Sequence, residues 1–136
     1  MYPESIVKPM KEELTNVGFQ DCSSPEGVNE AINSQGTVLM VVNSVCGCAA
    51  GAARPGVKLS LNNDKKPSKL CTVFAGFDVE ATNEARKHFN PYPPSSPAIA
   101  LFKNGELVHF VERHNIEGRN AQMIADHLKM VYDEYC

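Results

Sequence analysis

The chain predicts an α/β fold in which a mixed central sheet is covered by helices on both faces. Three observations carry this. Two Val-rich runs, T-V-L-M-V-V-N-S (37–44) and L-C-T-V-F-A-G-F (70–77), are apolar without alternation, as strands buried on both faces are. Segments of helical periodicity separate the early strands, and β-α-β order implies parallel pairing with right-handed crossovers. Late in the chain Asn104-Gly105 divides A-I-A-L-F-K from E-L-V-H-F-V-E. Asn-Gly between two apolar runs is the strongest short hairpin signal, because both turn residues take positive φ.

The elements follow in order. Ile6, Val7, Met10, Leu14 and Val17 recur at helical spacing, so residues 3 to 17 read as an amphipathic helix ending at Gly18. F-Q-D-C (19–22) is a short strand. In S-S-P-E-G-V-N-E-A-I-N-S, Ser24 caps a helix and Pro25 suits its first turn. After the first buried strand, Cys46 to about Leu61 is rich in Ala and reads as a helix that Pro55 kinks or interrupts, since proline lacks a backbone donor. N-N-D-K-K-P-S-K is a polar loop before the second buried strand. Val79, Thr82, Arg86 and Phe89 mark a further helix with Ala85 on its inner face. N-P-Y-P-P-S-S-P (90–97) is a proline-dense loop leading into the hairpin. Ala121, Ile124, Ala125, Leu128, Val131, Tyr132 and Tyr135 define a terminal helix. The order is α-β-α-β-α-β-α-β-β-α.

A chain of 136 residues fits one domain spanning residues 1–136, with 1–17 as an N-terminal helical extension. Apolar residues make up 43% and charged residues 21%, an ordinary globular balance. With a net charge of −3 and scattered Lys and Arg, nothing points to nucleic acid. No apolar run has the length of a membrane span, and the N-terminus lacks a signal peptide's apolar core, so a cytoplasmic location is expected. The odd number of cysteines, five, argues against a structural disulfide framework in that compartment.

Two of those cysteines sit in V-N-S-V-C-G-C-A-A-G-A (42–52), just past a buried strand and at a helix start. The unpaired N–H groups and partial positive charge of a helix N-terminus favour thiolate over thiol. The thiolate is the nucleophile of disulfide exchange. Cys46 is the candidate nucleophile and Cys48 the resolving or modulating thiol. Two other readings of the pair stand beside this one, packed thiols and half of a metal site. Zinc takes four ligands, the motif supplies two, and no second ligand pair is evident, so no metal is assigned. The one-residue spacing matters: side chains at i and i+2 of a helix diverge, so an internal disulfide needs backbone distortion, which Gly47 is best able to absorb. Cys22 and Cys71 lie on strands and read as buried apolar thiols. Cys136 ends the chain and is assigned no role.

The strand–cysteine–helix unit and the segment S-P-A-I-A-L-F-K-N-G-E-L-V resemble the thioredoxin superfamily. The resemblance implies a three-layer α-β-α sandwich and a cis bond at Ser96–Pro97, facing the nucleophilic cysteine and helping to bind the substrate backbone. V-V-N-S-V-C-G-C-A-A-G-A-A-R-P, Y-P-P-S-S-P, A-L-F-K-N-G-E-L-V and E-R-H-N-I-E-G-R bring the chain closest to the bacilliredoxins, small thioredoxin-like proteins with a Cys-Gly-Cys centre. That family's implied activity is removal of bacillithiol, a low-molecular-weight thiol, from protein mixed disulfides formed under oxidative stress. Bacillithiol is then the co-substrate, no cofactor is tightly bound, and bacillithiolated client proteins are the partners. A general protein disulfide isomerase or reductase is the alternative, and a metal- or thiol-binding module a further one. Ordinary thioredoxins carry a buried acid six positions before the first cysteine; here that position is Met40, and no Trp precedes Cys46. An external thiol resolving the intermediate suits that change. Matching the hairpin to thioredoxin places Arg113 and His114 just past the last strand, beside the cis-proline. Bacillithiol carries a malate unit with two carboxylates, and arginine binds carboxylates bidentately. Arg113, or Arg54 on the cysteine-bearing helix, is expected to bind that malate, with His114 placed to stabilise a thiolate or move a proton.

Overall fold

The structure is a computed structural model that describes residues 2–136. Five strands form one sheet: β1 (Gln20–Asp21), β2 (Thr37–Asn43), β3 (Lys69–Phe74), β4 (Ala98–Lys103) and β5 (Glu106–Val111). Their spatial order is β1-β3-β2-β4-β5. β3 runs parallel to both β1 and β2, while β4 runs antiparallel to both β2 and β5. All seven residues of the central strand β2 are buried, which is why the run lacks alternation.

The alternation reappears as a division between two cores. Val38, Met40 and Val42 face one, shared with α2 (Pro25–Ile32) and α4 (Val79–Arg86). Leu39 and Val41 face the other, shared with Leu14 of α1 (Glu4–Thr15), Val57 of α3 (Arg54–Ser60) and Ile124 and Leu128 of α6 (Ala121–Tyr135). The result is the expected three-layer α-β-α arrangement. The hairpin turn also forms as read: Asn104 and Gly105 take φ of 52° and 85°. Ser24 caps α2, its hydroxyl accepting from Gly27 N–H at 3.1 Å.

Three local features depart from the reading. The cysteine-bearing helix is not broken at Pro55. It begins as a π-helical stretch, Ala49–Ala53, where Arg54 N–H donates back to the Ala49 carbonyl, and continues as α3 with Pro55 in its first turn. The wider winding comes just before the residue that has no N–H to give. The segment holding Arg113 and His114 is a short helix, α5 (Arg113–Ile116), with reciprocal capping between Glu112 and Asn115. Asn90–Pro91 is cis as well as Ser96–Pro97.

Candidate active site around Cys46

The central strand ends at Asn43, and the next five residues build the site. Asn43 is buried and ties the strand end in two directions. Its side-chain N–H donates to the Met10 carbonyl of α1 at 3.2 Å, and its Oδ1 accepts from Ser44 N–H at 2.9 Å. The Ser44 hydroxyl then meets Cys46 twice. It accepts from Cys46 N–H and donates to Cys46 Sγ, both at 3.2 Å. The Cys46 carbonyl accepts from Ala49 and Ala50 N–H at 3.1 Å, so Cys46 stands at the helix start, as its spacing predicted.

The two sulfurs lie 2.8 Å apart, both as free thiols. The expected divergence is therefore not found. Cys46 sits before the first helical turn, so the pair is not an i, i+2 pair of one helix. Gly47 shows no distortion in this dithiol state: its φ lies outside the left-handed region and nothing lies within 4 Å of a Cβ built there. Cys46 and Cys48 are both half-buried.

The electrostatics separate the two thiols. Burial alone would push Cys46 up. Hydrogen bonds from Cys48 and Ser44, the Ala49 N–H and the charge of Arg113 outweigh burial and hold it below the ordinary thiol value. Cys48 is pushed up by burial, and further by the hydrogen bond and charge of Cys46. Cys46 is thus the better thiolate and Cys48 the proton-bearing neighbour. Cys22 and Cys71 are buried on the other core. The Cys71 thiol is pushed up by its hydrogen bond to Cys22 and by burial.

A cavity of about 300 Å³ opens in front of Cys46, lined among others by Ser44, Ser96, Arg86, Arg113 and Tyr2. Ser96 precedes the cis bond, and Pro97 is buried behind it. Arg113 bridges to this loop. Its backbone N–H donates to Ser95 Oγ at 3.3 Å and its Nη1 to the Ser96 carbonyl at 3.2 Å, while Nε lies 3.7 Å from Glu117. Ser96 and Arg113 thus line the same cavity as Cys46, and Pro97 follows Ser96 across the cis bond without lining it.

Two other residues singled out in the sequence stand apart from the cavity. Arg54 is only 2% exposed and points inward. Its Nη1 donates to Asn43 Oδ1 at 3.0 Å and to the Ser44 carbonyl at 2.7 Å, and its Nε forms an ion pair with Glu13 of α1 at 3.1 Å. A ligand carboxylate cannot reach it, because the N-terminal helix supplies its carboxylate. Arg54 instead braces the backbone that leads into Cys46. The His114 side chain is 70% exposed, 3.7 Å from Glu112, and does not line the cavity. It faces away because α5 turns the chain immediately after Glu112.

Two residues of the site were not singled out in the sequence. Ser44 had a weak signal, a hydroxyl two residues before a cysteine at a helix start. Arg86 had a better one: it falls on the inward-facing spacing Val79, Thr82, Arg86, Phe89, where a charged side chain needs a reason.

With the geometry in place, comparison with solved structures settles the fold. The mitochondrial thioredoxin 3 of Saccharomyces cerevisiae superposes with a TM-score of 0.59 at 11% identity, covering 90% of this chain and 98% of that one. A thioredoxin of Malassezia sympodialis gives 0.58 at 15% identity over 87% and 90%. At such identities the likeness is one of fold. A dithiol beginning the helix after the central strand, in this fold, makes the chain a thiol–disulfide oxidoreductase. Residues 2–136 match the family model described as "Disulphide isomerase". A protein of Cytophaga hutchinsonii named Bacilliredoxin is 64% identical over 134 residues, covering 98% of this chain and 99% of that protein. One from Halalkalibacterium halodurans is 50% identical, covering 99% and 94%. The chain belongs to the bacilliredoxin family.

Proposed function

We propose that the chain removes bacillithiol from protein mixed disulfides in the cytoplasm, with Cys46 as the attacking thiolate. The observation that carries this reading is the asymmetry of the pair: hydrogen bonds from Cys48, Ser44 and Ala49 N–H and the charge of Arg113 hold Cys46 below the ordinary thiol value, at the mouth of an open cavity, while Cys48 is pushed up. The thiolate attacks the bacillithiol sulfur, a new S–S bond forms, and the client cysteine leaves as a thiolate that takes a proton from water. Two routes then discharge the Cys46 adduct. A second bacillithiol thiolate attacks it and leaves as bacillithiol disulfide. Alternatively Cys48, whose sulfur is already at 2.8 Å, attacks Cys46 Sγ, freeing bacillithiol and forming the Cys46–Cys48 disulfide. Met40 in place of a buried acid favours the first route, because no carboxylate stands ready to take the Cys48 proton. The proximity of the sulfurs supports the alternative reading, exchange among protein disulfides.

The test is mass spectrometry of Cys48→Ala after incubation with a bacillithiolated client. The expected result is one bacillithiol adduct, on Cys46, with the client thiol released. No adduct on Cys46, together with turnover of scrambled protein disulfides by the unaltered chain, would replace this reading with the isomerase one.

A further inference from the structure

The guanidinium of Arg86 is the least accounted-for charge near the site. It is carried at the end of α4, half-buried, and lines the same cavity as Cys46. Its Nε is buried with no hydrogen-bond partner among the described residues, and no carboxylate there forms an ion pair with it. Burying a charged group without a partner is costly, and native proteins rarely leave one so. Burial also draws the Arg86 pKa down, with no neighbouring acid to oppose it. The contrast with Arg54 is instructive. That arginine is more deeply buried, yet its Nη1 donates to Asn43 and Ser44 and its Nε lies 3.1 Å from the Glu13 carboxylate.

Across the cavity stands Arg113, whose contacts are a carbonyl oxygen at 3.2 Å and a carboxylate only at 3.7 Å. We propose that Arg86 is the primary carboxylate-binding residue of the Cys46 cavity, and that with Arg113 it selects thiols bearing two carboxylates. A planar guanidinium matches a carboxylate in two parallel hydrogen bonds, and no carboxylate among the described residues competes for the part of Arg86 that lines the cavity. A neutral thiol of similar size leaves the guanidinium without an anionic partner, so the discrimination is large for one contact. The bacillithiol reading enters only in naming a thiol with a malate unit as the natural ligand; the subsite itself rests on Arg86 and the cavity.

The probes are two mixed disulfides of 2-thiopyridine, one with mercaptosuccinate, which carries two carboxylates, and one with uncharged mercaptoethanol. Reduced Cys48→Ala reacts through Cys46 alone. Its thiolate bonds to the alkyl sulfur and 2-thiopyridone leaves, which its absorbance reports. The quantity read is the ratio of the two second-order rates, which cancels changes in thiolate fraction or folded fraction. Adding Arg86→Gln is expected to lower the charged-to-neutral ratio by about tenfold or more, and Arg86→Lys, which keeps charge but not the fork, to give an intermediate ratio. A ratio unchanged to within about twofold in Arg86→Gln overturns the proposal. The two readings fail separately. A collapsed ratio with no bacillithiol adduct on Cys46 upholds the subsite and removes bacillithiol as its ligand. An adduct with an unchanged ratio overturns the subsite and keeps the activity.

Discussion

At the scale of the residue, one hydroxyl outside the Cys-Gly-Cys motif adds to what Cys48 does for Cys46. Ser44 both fixes the Cys46 backbone and donates to its sulfur. A hydrogen bond to a charged group contributes about 1.5–3 kcal/mol, and here it favours only the thiolate. Ser44→Ala should therefore move the inflection of Cys46 alkylation to higher pH. At neutral pH, where the rate follows the thiolate fraction, iodoacetamide should react more slowly by roughly tenfold, and by up to about a hundredfold at the upper end of that range. A pH–rate profile followed by mass spectrometry of the labelled peptide checks this. An inflection at the same pH in both chains would show that the helix start and Arg113 hold the thiolate without Ser44.

At the scale of the element, the cysteine-bearing helix is fixed by a close crossing with the terminal helix. At Gly56 of α3 a Cβ would meet Ile124 Cβ at 2.6 Å and Cγ2 at 2.7 Å, with the Ala121 carbonyl at 3.0 Å. The approach is to a β-branched side chain and to backbone, neither of which yields easily. Gly56→Ala should destabilise the fold by about 1–3 kcal/mol through overpacking, despite alanine's better helix propensity. Urea unfolding reads this as a lower midpoint at an unchanged slope. The N-terminal helix is likewise bound to the site rather than merely appended. Glu13 pairs with Arg54, and Met10 receives the Asn43 amide. On its outer side Lys11 bridges Asp21 and Asp78 at 3.1 and 3.0 Å.

At the scale of the whole molecule, a histidine pair joins the edge strand to the terminal helix. His109 of β5 and His127 of α6 meet Nε2 to Nε2 at 2.9 Å, which requires at least one neutral ring. Burial lowers both pKa values, the charge of His127 lowers His109 further while Glu134 opposes, and Arg119 lowers His127. Both folded values are depressed, so the folded state resists protons that the unfolded chain accepts. The stability is complete above about pH 6.5, the unfolded value, and is lost as pH falls below it through the depressed folded values. The melting temperature should drop by a few degrees between pH 7.5 and 5.5, and His127→Asn should flatten that dependence. Equal slopes in the two chains would place the acid sensitivity elsewhere.

Much of this protein was determined by local sequence. Alternation, or its absence, declared the strands, because burial on one face or two is written in every second residue. Asn104-Gly105 declared the hairpin, because few other pairs take positive φ twice. Cys46 at a strand-to-helix junction marked the candidate nucleophile. What local pattern could not decide was the direction of long, charged side chains. Arg54, Arg86 and Arg113 all follow or flank legible motifs, yet one braces the strand end, one lines the cavity with an unpaired nitrogen, and one spans to the cis-proline loop. Arg54 turns inward only because α1, some forty residues earlier in the chain, brings Glu13 against it. The convergence of the two sulfurs was also tertiary, set by where the helix begins relative to Cys46. Chain pattern fixes which face a residue occupies over a few residues; partners distant in sequence decide what its far end touches.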